Sequence, residues 1–185
     1  MAELLPLPIS PRDFLLKIVD PALGILPAKM RSNLARIMLC AIALQESRLA
    51  HRWQVIDLKR PEVKGPARGL LQFERGTRAS RGGVWGVYLH EESRDHLEDL
   101  CRARDCDFHP DAIYAQIERD DILAAGVARL LLWTDPKALP PEGATEEAWE
   151  LYLRTWRPGA AQRQYQTLRD KWSGNYKQAL EASKS

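Results

Sequence analysis

The sequence predicts a mainly α-helical protein folded as a single domain over residues 1–185, and three observations carry that prediction. Apolar residues recur at helical spacing along most of the chain, no segment alternates convincingly like a half-buried strand, and helix-capping residues stand ahead of the apolar runs. A length of 185 residues with 45% hydrophobic and 28% charged side chains suits one core and excludes two full-sized domains. Six Trp, five Tyr and three Phe spread along the chain argue against disorder.

The elements follow in order. Ser10-Pro11-Arg12-Asp13 reads as a cap, a first-turn proline and a favourable acid. Phe14, Leu15, Ile18 and Val19 then make the apolar stripe of an N-terminal helix over residues 10–20, closed by Pro21 and Gly24. A second helix from Ser32 or Asn33 to about Leu49 is apolar all round, which assigns it to the centre of the protein. From Trp53 to Gly86 the periodicity lapses into a glycine-rich stretch of loops and a short hairpin. A short helix follows Ser93, then a long one from Pro110 to Trp133 with Ile113, Ile117, Leu123, Val127, Leu130 and Leu131 inward. A proline-rich linker leads to Thr145, read as the cap of a helix whose face is Trp149, Tyr152, Leu153 and Trp156. Amphipathic helices over residues 160–182 end the chain, and they and the helix at 10–20 are expected at the periphery.

Charge is segregated. Lys and Arg number 27 against 25 acids, a net of +2, yet residues 29–82 carry twelve bases against four acids, 83–150 six against sixteen, and 151–185 seven against two. Solvated helix faces of differing sign and a basic zone for an anionic polymer both fit. Three cysteines argue against a disulfide framework. No apolar run has the length of a membrane span, and the start of the chain, with Pro6 and Pro8 and no basic leader, is not expected to be a secretion signal.

Glu46 is the informative residue. It projects between Leu39 and Ile42 on a helix that is apolar all round, in the last turn where the helix dipole is negative. Burial and dipole both oppose its ionisation, so it suits a general acid. An outward rotamer meeting Arg48 or Arg52 is the competing reading. Downstream, the run Gly65 to Glu74 offers glycines for close backbone approach, the Gln72 amide and a second carboxylate, Glu74, with Asp57 the next candidate. Glu74 also suits an exposed acid paired with Arg75 or Arg78, and Ser47 and Gln72 suit local caps as well as polar contacts to a ligand. Trp53, Trp85 and Tyr88 are candidates for stacking on a ligand or for core positions. Cys101, Cys106 and His109 lack a fourth ligand at zinc spacing, so no metal site is expected.

Gln45-Glu46-Ser47 closing an apolar helix, then Gly69-Leu70-Leu71-Gln72 in a glycine-rich loop, resembles the soluble lytic transglycosylases and their goose-type lysozyme relatives. In that family a Glu-Ser pair at a helix end precedes a Gly-Leu-Met-Gln-like turn. Tyr152 stands where the family carries a Tyr-Asn pair, with Leu153 in place of the Asn. Over roughly residues 30–160, including Ala43–Arg48, Gly65–Gly69, Ala128–Trp133 and Trp156–Gly159, the chain is also similar to tailed-phage proteins of lysozyme-like fold.

The resemblance implies a lysozyme-like fold, with Glu46 as the one catalytic acid and base. Ser47, Gly69, Leu70, Leu71, Gln72 and Tyr152 would bind substrate, and Glu74 would be the second carboxylate of a hydrolase. It implies cleavage of the β-1,4 bond between N-acetylmuramic acid and N-acetylglucosamine, with no cofactor. Peptidoglycan strands are the expected partner, along with virion components, and neither nucleic-acid binding nor membrane insertion is expected. The expected setting is the cytoplasm of an infected bacterium or a phage particle, acting on the wall. A lysozyme-type hydrolase, a non-catalytic virion module and, last, a nucleic-acid-binding helical protein are the alternatives.

Overall fold

The helix starts where the cap residues ask for it. In the computed structural model, which describes residues 4–159 and 161–184 (for 161–163 the backbone alone), Ser10 Oγ accepts the Asp13 amide at 3.0 Å and α1 (Pro11–Phe14) begins at the proline. The expectation about a leader falls partly on Met1–Glu3, outside the described residues. Pro21 does not end the helix as expected. A π-helical segment, Leu15–Val19, precedes it, and α2 (Asp20–Ile25) continues with Pro21 in its first turn. The widened turn accommodates the ring and its missing N–H. The real stop is Leu26, which is extended, with Arg31 donating to the Gly24 and Leu26 carbonyls at 2.9 Å.

The central helix is α3 (Asn33–Ser47), capped by Ser32 Oγ on the Ala35 amide at 3.1 Å. Ala35 and every residue from Ile37 to Leu44 are buried, as a helix apolar all round requires. The expected hairpin is β1 (Trp53–Val55) against β2 (Lys64–Arg68), antiparallel, with Trp53 opposite Arg68 and Val55 opposite Lys64 and an irregularity between. Arg52 anchors its base, with Nε and Nη2 on the Asp121 carboxylate at 3.0 and 2.7 Å in a pair that is 8% and 5% exposed.

The end of the glycine-rich stretch, expected to hold loops as far as Gly86, instead opens a helix, α4 (Gly83–Leu89), which buries Val84 and Val87. Next come α5 (Glu91–Ala103), α6 (Pro110–Ile117) and α7 (Asp121–Trp133). The single helix expected over 110–133 is therefore two, because Asp120 leaves helical geometry and accepts the Leu123 amide at 2.9 Å. Gly126 lets α5 approach α7: a Cβ there would stand 2.6 Å from a Leu100 methyl. In α8 (Thr145–Trp156), Thr145 is the first helical residue rather than the cap, and no side chain caps that end.

The last helix, α9 (Ala161–Ala182), kinks at Gln164 and lies along α3, where Gln45 accepts from Asn175 at 2.8 Å and donates to the Leu168 carbonyl at 3.1 Å. Neither terminal helix is peripheral. Phe14 and Leu15 from one and Trp172, Tyr176 and Ala179 from the other sit in the same core as α3 and α7. Amphipathic segments next to a helix apolar on every side supply the cover that helix needs. The class is mainly α, as expected. Among the described residues no helix is long and apolar enough to cross a membrane.

Candidate active site

The site is built on the C-terminal end of α3. Arg48 (φ 54°) and Leu49 (φ 56°) turn the chain out of the helix in left-handed conformation, and the Arg48 amide still reaches the Leu44 carbonyl at 3.1 Å. Glu46 therefore occupies the final turn, its residue partly exposed and its side chain facing a cleft of about 360 Å³. Gln54, Gln72, Phe73, Glu74, Trp156 and Arg157 line that cleft, and Gly76, Gly82 and Gly83 bring loop backbone close to it.

Ser47 fixes the loop that forms this wall. Its Oγ donates to the Leu70 carbonyl at 2.6 Å and accepts the Leu49 amide at 3.2 Å. Trp156 Nε1 donates to the next carbonyl, that of Leu71, at 2.9 Å. Arg68 and Phe73 close the loop with reciprocal backbone bonds of 2.9 and 2.7 Å, and the Gln72 amide nitrogens, backbone and side chain, both meet the Gly69 carbonyl. Gly69 has φ +73° and its Cβ position lies 2.7 Å from an Ile117 methyl, so only glycine fits this turn without strain.

These bonds sort the expected site residues. Glu46, Gln72 and Glu74 line the cleft together. Ser47 is buried and spends its hydroxyl on protein atoms, while Leu70 and Leu71 are core side chains. Gly69 packs on α6 and α7 rather than lining the cleft. The Gly-Leu-Leu-Gln run thus shapes the wall, and Gln72 alone presents a side chain there. Tyr152 lies beneath: it is buried, stacks on Trp172 at 5.0 Å, and donates its hydroxyl to Glu46 Oε1 at 2.6 Å. Asp57 lies outside the cleft, bonded to Arg60 at 2.9 Å.

Burial pushes the Glu46 carboxyl up to about 7. The Tyr152 hydrogen bond opposes that rise and the Glu74 charge adds to it. Burial, then the Glu46 charge, raises the Tyr152 phenol, which stays a donor. Glu74 is exposed, and among the described residues it forms no ion pair with Arg75 or Arg78; Arg75 is paired with Asp111 at 2.9 Å. The arrangement can deliver one proton from Glu46 to a ligand atom in the cleft and take one back.

The other candidates pack elsewhere. Trp53 Nε1 donates to the Pro61 carbonyl with Lys64 over its ring, and Trp85, Tyr88 and Phe108 form a separate aromatic group under Arg94. The aromatic side chains that do line the cleft are Phe73 and Trp156, with centroids 5.5 Å apart. The sequence reading put Trp156 on a buried helix face and passed over Phe73, Gln54 and Ser80. A tryptophan directly before Arg157-Pro158-Gly159, where a helix must stop, was the available signal for a cleft edge. Among the described residues no group of three or more His, Cys, Asp or Glu is placed to hold a metal ion.

Comparison with known proteins adds nothing to this geometry: no protein-family model, curated protein or solved structure matches the chain at a significant level.

Proposed function

We propose that the protein cleaves the glycan strands of peptidoglycan at the β-1,4 bond between N-acetylmuramic acid and N-acetylglucosamine, as a lytic transglycosylase with Glu46 as acid and base. One observation carries the reading: a carboxyl held near neutrality, pKa about 7, facing an open cleft. Such a group is protonated often enough to donate and basic enough to accept at the same pH. Glu46 gives its proton to the glycosidic oxygen as that bond breaks. The carboxylate then accepts the proton of the muramic acid C6 hydroxyl, whose oxygen closes on C1. The product is a 1,6-anhydro sugar, no water is consumed, and Glu46 returns protonated.

The Tyr152 hydroxyl steadies the carboxylate between the two transfers. Gln72 and Gln54 supply amide groups along the cleft, and Phe73 and Trp156 supply ring surface for a sugar face. The resemblance to phage proteins supports a wall-degrading role during infection. Glu74 on the same cleft favours a second reading, a hydrolase in which Glu74 activates water opposite Glu46.

The test is clearing of purified peptidoglycan by the native protein and by Glu46→Gln. The native protein should release soluble fragments, and the variant should lose at least about a thousandfold in rate while remaining folded. Equal rates would remove Glu46 from the chemistry.

A further inference from the structure

The cleft does not end at Arg157. A second depression of about 350 Å³ shares Gly82, Leu131, Thr155 and Arg157 with it, and Arg81, Asp135 and Arg154 line this depression but not the cleft. Three guanidinium groups thus face one carboxylate. Arg154 and Asp135 satisfy each other, with Nε to Oδ2 at 2.8 Å and Nη2 to Oδ1 at 3.4 Å. Arg81 and Arg157 have no acidic partner among the described residues. Arg81 Nη2 donates to the Leu89 carbonyl at 3.3 Å, and Arg157 donates to the Ser80 and Arg154 carbonyls, each at 3.3 Å. A guanidinium has five donor hydrogens, so each retains several for a ligand, and both residues are exposed.

The backbone adds a second observation. Arg81 has φ 49° and Arg157 φ 48°, a left-handed conformation that costs a non-glycine residue of order 1 kcal/mol. Arg157 ends α8 and is tied to the loop before α4 through Ser80; Arg81 stands at the end of that loop. The two strained turns thus place two cations without an acidic partner among the described residues on one depression that shares lining residues with the Glu46 cleft.

We propose that this depression binds a carboxylate of the peptide stem carried by the muramic acid residue, with Arg81 and Arg157 as its ligands; the proposal rests on the glycan-cleaving reading above. The stem leaves the sugar next to the bond whose oxygen Glu46 protonates, so a pocket continuous with the cleft is where its carboxylates arrive. Planar guanidinium groups suit that planar anion, and the pair Arg154–Asp135 leaves the pocket with a net positive charge.

Binding to the Glu46→Gln protein tests this without turnover. Calorimetry would compare the N-acetylglucosaminyl–N-acetylmuramyl disaccharide carrying its pentapeptide, the same compound with the stem carboxylates amidated, and the bare disaccharide. The pentapeptide form should bind about tenfold more tightly than either other ligand, and Arg81→Gln combined with Arg157→Gln should bring that ratio near one. The double Lys variant should keep part of the ratio, which guards against a loss caused by misfolding. A ratio near one in the starting protein, a ratio insensitive to both arginines, or equal binding of the amidated stem would overturn the subsite. Failure of the glycan-cleaving reading is read separately, as no release of fragments from peptidoglycan by the native protein.

Discussion

Replacing Glu46 by Gln should make the protein more stable, and increasingly so as the pH rises. In the folded chain the carboxyl titrates at about 7 against an ordinary 4.5, chiefly because burial penalises its charge. Below pH 4.5 the group is protonated in both folded and unfolded chains, and the native protein has its full stability. Between 4.5 and 7 the unfolded chain loses the proton first, so stability falls as pH rises; above about 7 the loss is complete. At about 1.4 kcal/mol per tenfold change in proton affinity, the loss amounts to about 3 kcal/mol.

Gln is nearly isosteric with the protonated acid, carries no charge at any pH, and can still accept from Tyr152. Urea denaturation of both proteins at pH 4, 5, 6, 7 and 8 should therefore give nearly equal stabilities at pH 4 and an advantage to the variant of about 3 kcal/mol at pH 8. A difference independent of pH would mean that Glu46 titrates like an exposed carboxyl, and the case for a general acid would lose its physical basis.

The remaining predictions concern what surrounds that group. Tyr152→Phe keeps the ring stack but removes the donor that favours ionised Glu46, so the fall of kcat/KM on the alkaline side should move up by about 1 pH unit; an unmoved limb would deny the bond any hold on the acid. Arg52→Met leaves Asp121 buried without its cation at the base of the hairpin and should cost about 3–5 kcal/mol in urea denaturation, against little change if the pair were solvated.

Much of the frame was legible because it rests on local signals. Ser10 and Ser32 announce helices, and the all-apolar α3 announces the core, since each depends on spacing or on a single capping bond. The break at Asp120 was missed because Ile113 to Leu131 stays in helical phase across it; only the side-chain bond to the Leu123 amide decides for two helices. α4 was hidden by Gly83 and Gly86, whose low helix propensity is outweighed by burial of Val84 and Val87.

In the site, Glu46 was visible as an acid on an apolar face, whereas the Tyr152 bond spans 106 positions in sequence and needs α8 laid against α3. The motif Gly69–Gln72 was visible too, but its role was not: the bonds from Ser47 and Trp156 that occupy the Leu70 and Leu71 carbonyls join segments far apart in the chain. Arg81 and Arg157 were not legible as a pair, because they stand far apart in the chain and only the fold lines one depression with both.

The most direct measurement is the mass of the soluble fragments released from purified peptidoglycan. A single glutamate working as acid and then base should leave 1,6-anhydromuramic acid ends, one water lighter than hydrolysed ends, in fragments that disappear with Glu46→Gln. Full-mass reducing ends would transfer the second step to a water activated by Glu74, and no fragments at all from the native protein would contradict glycan cleavage itself.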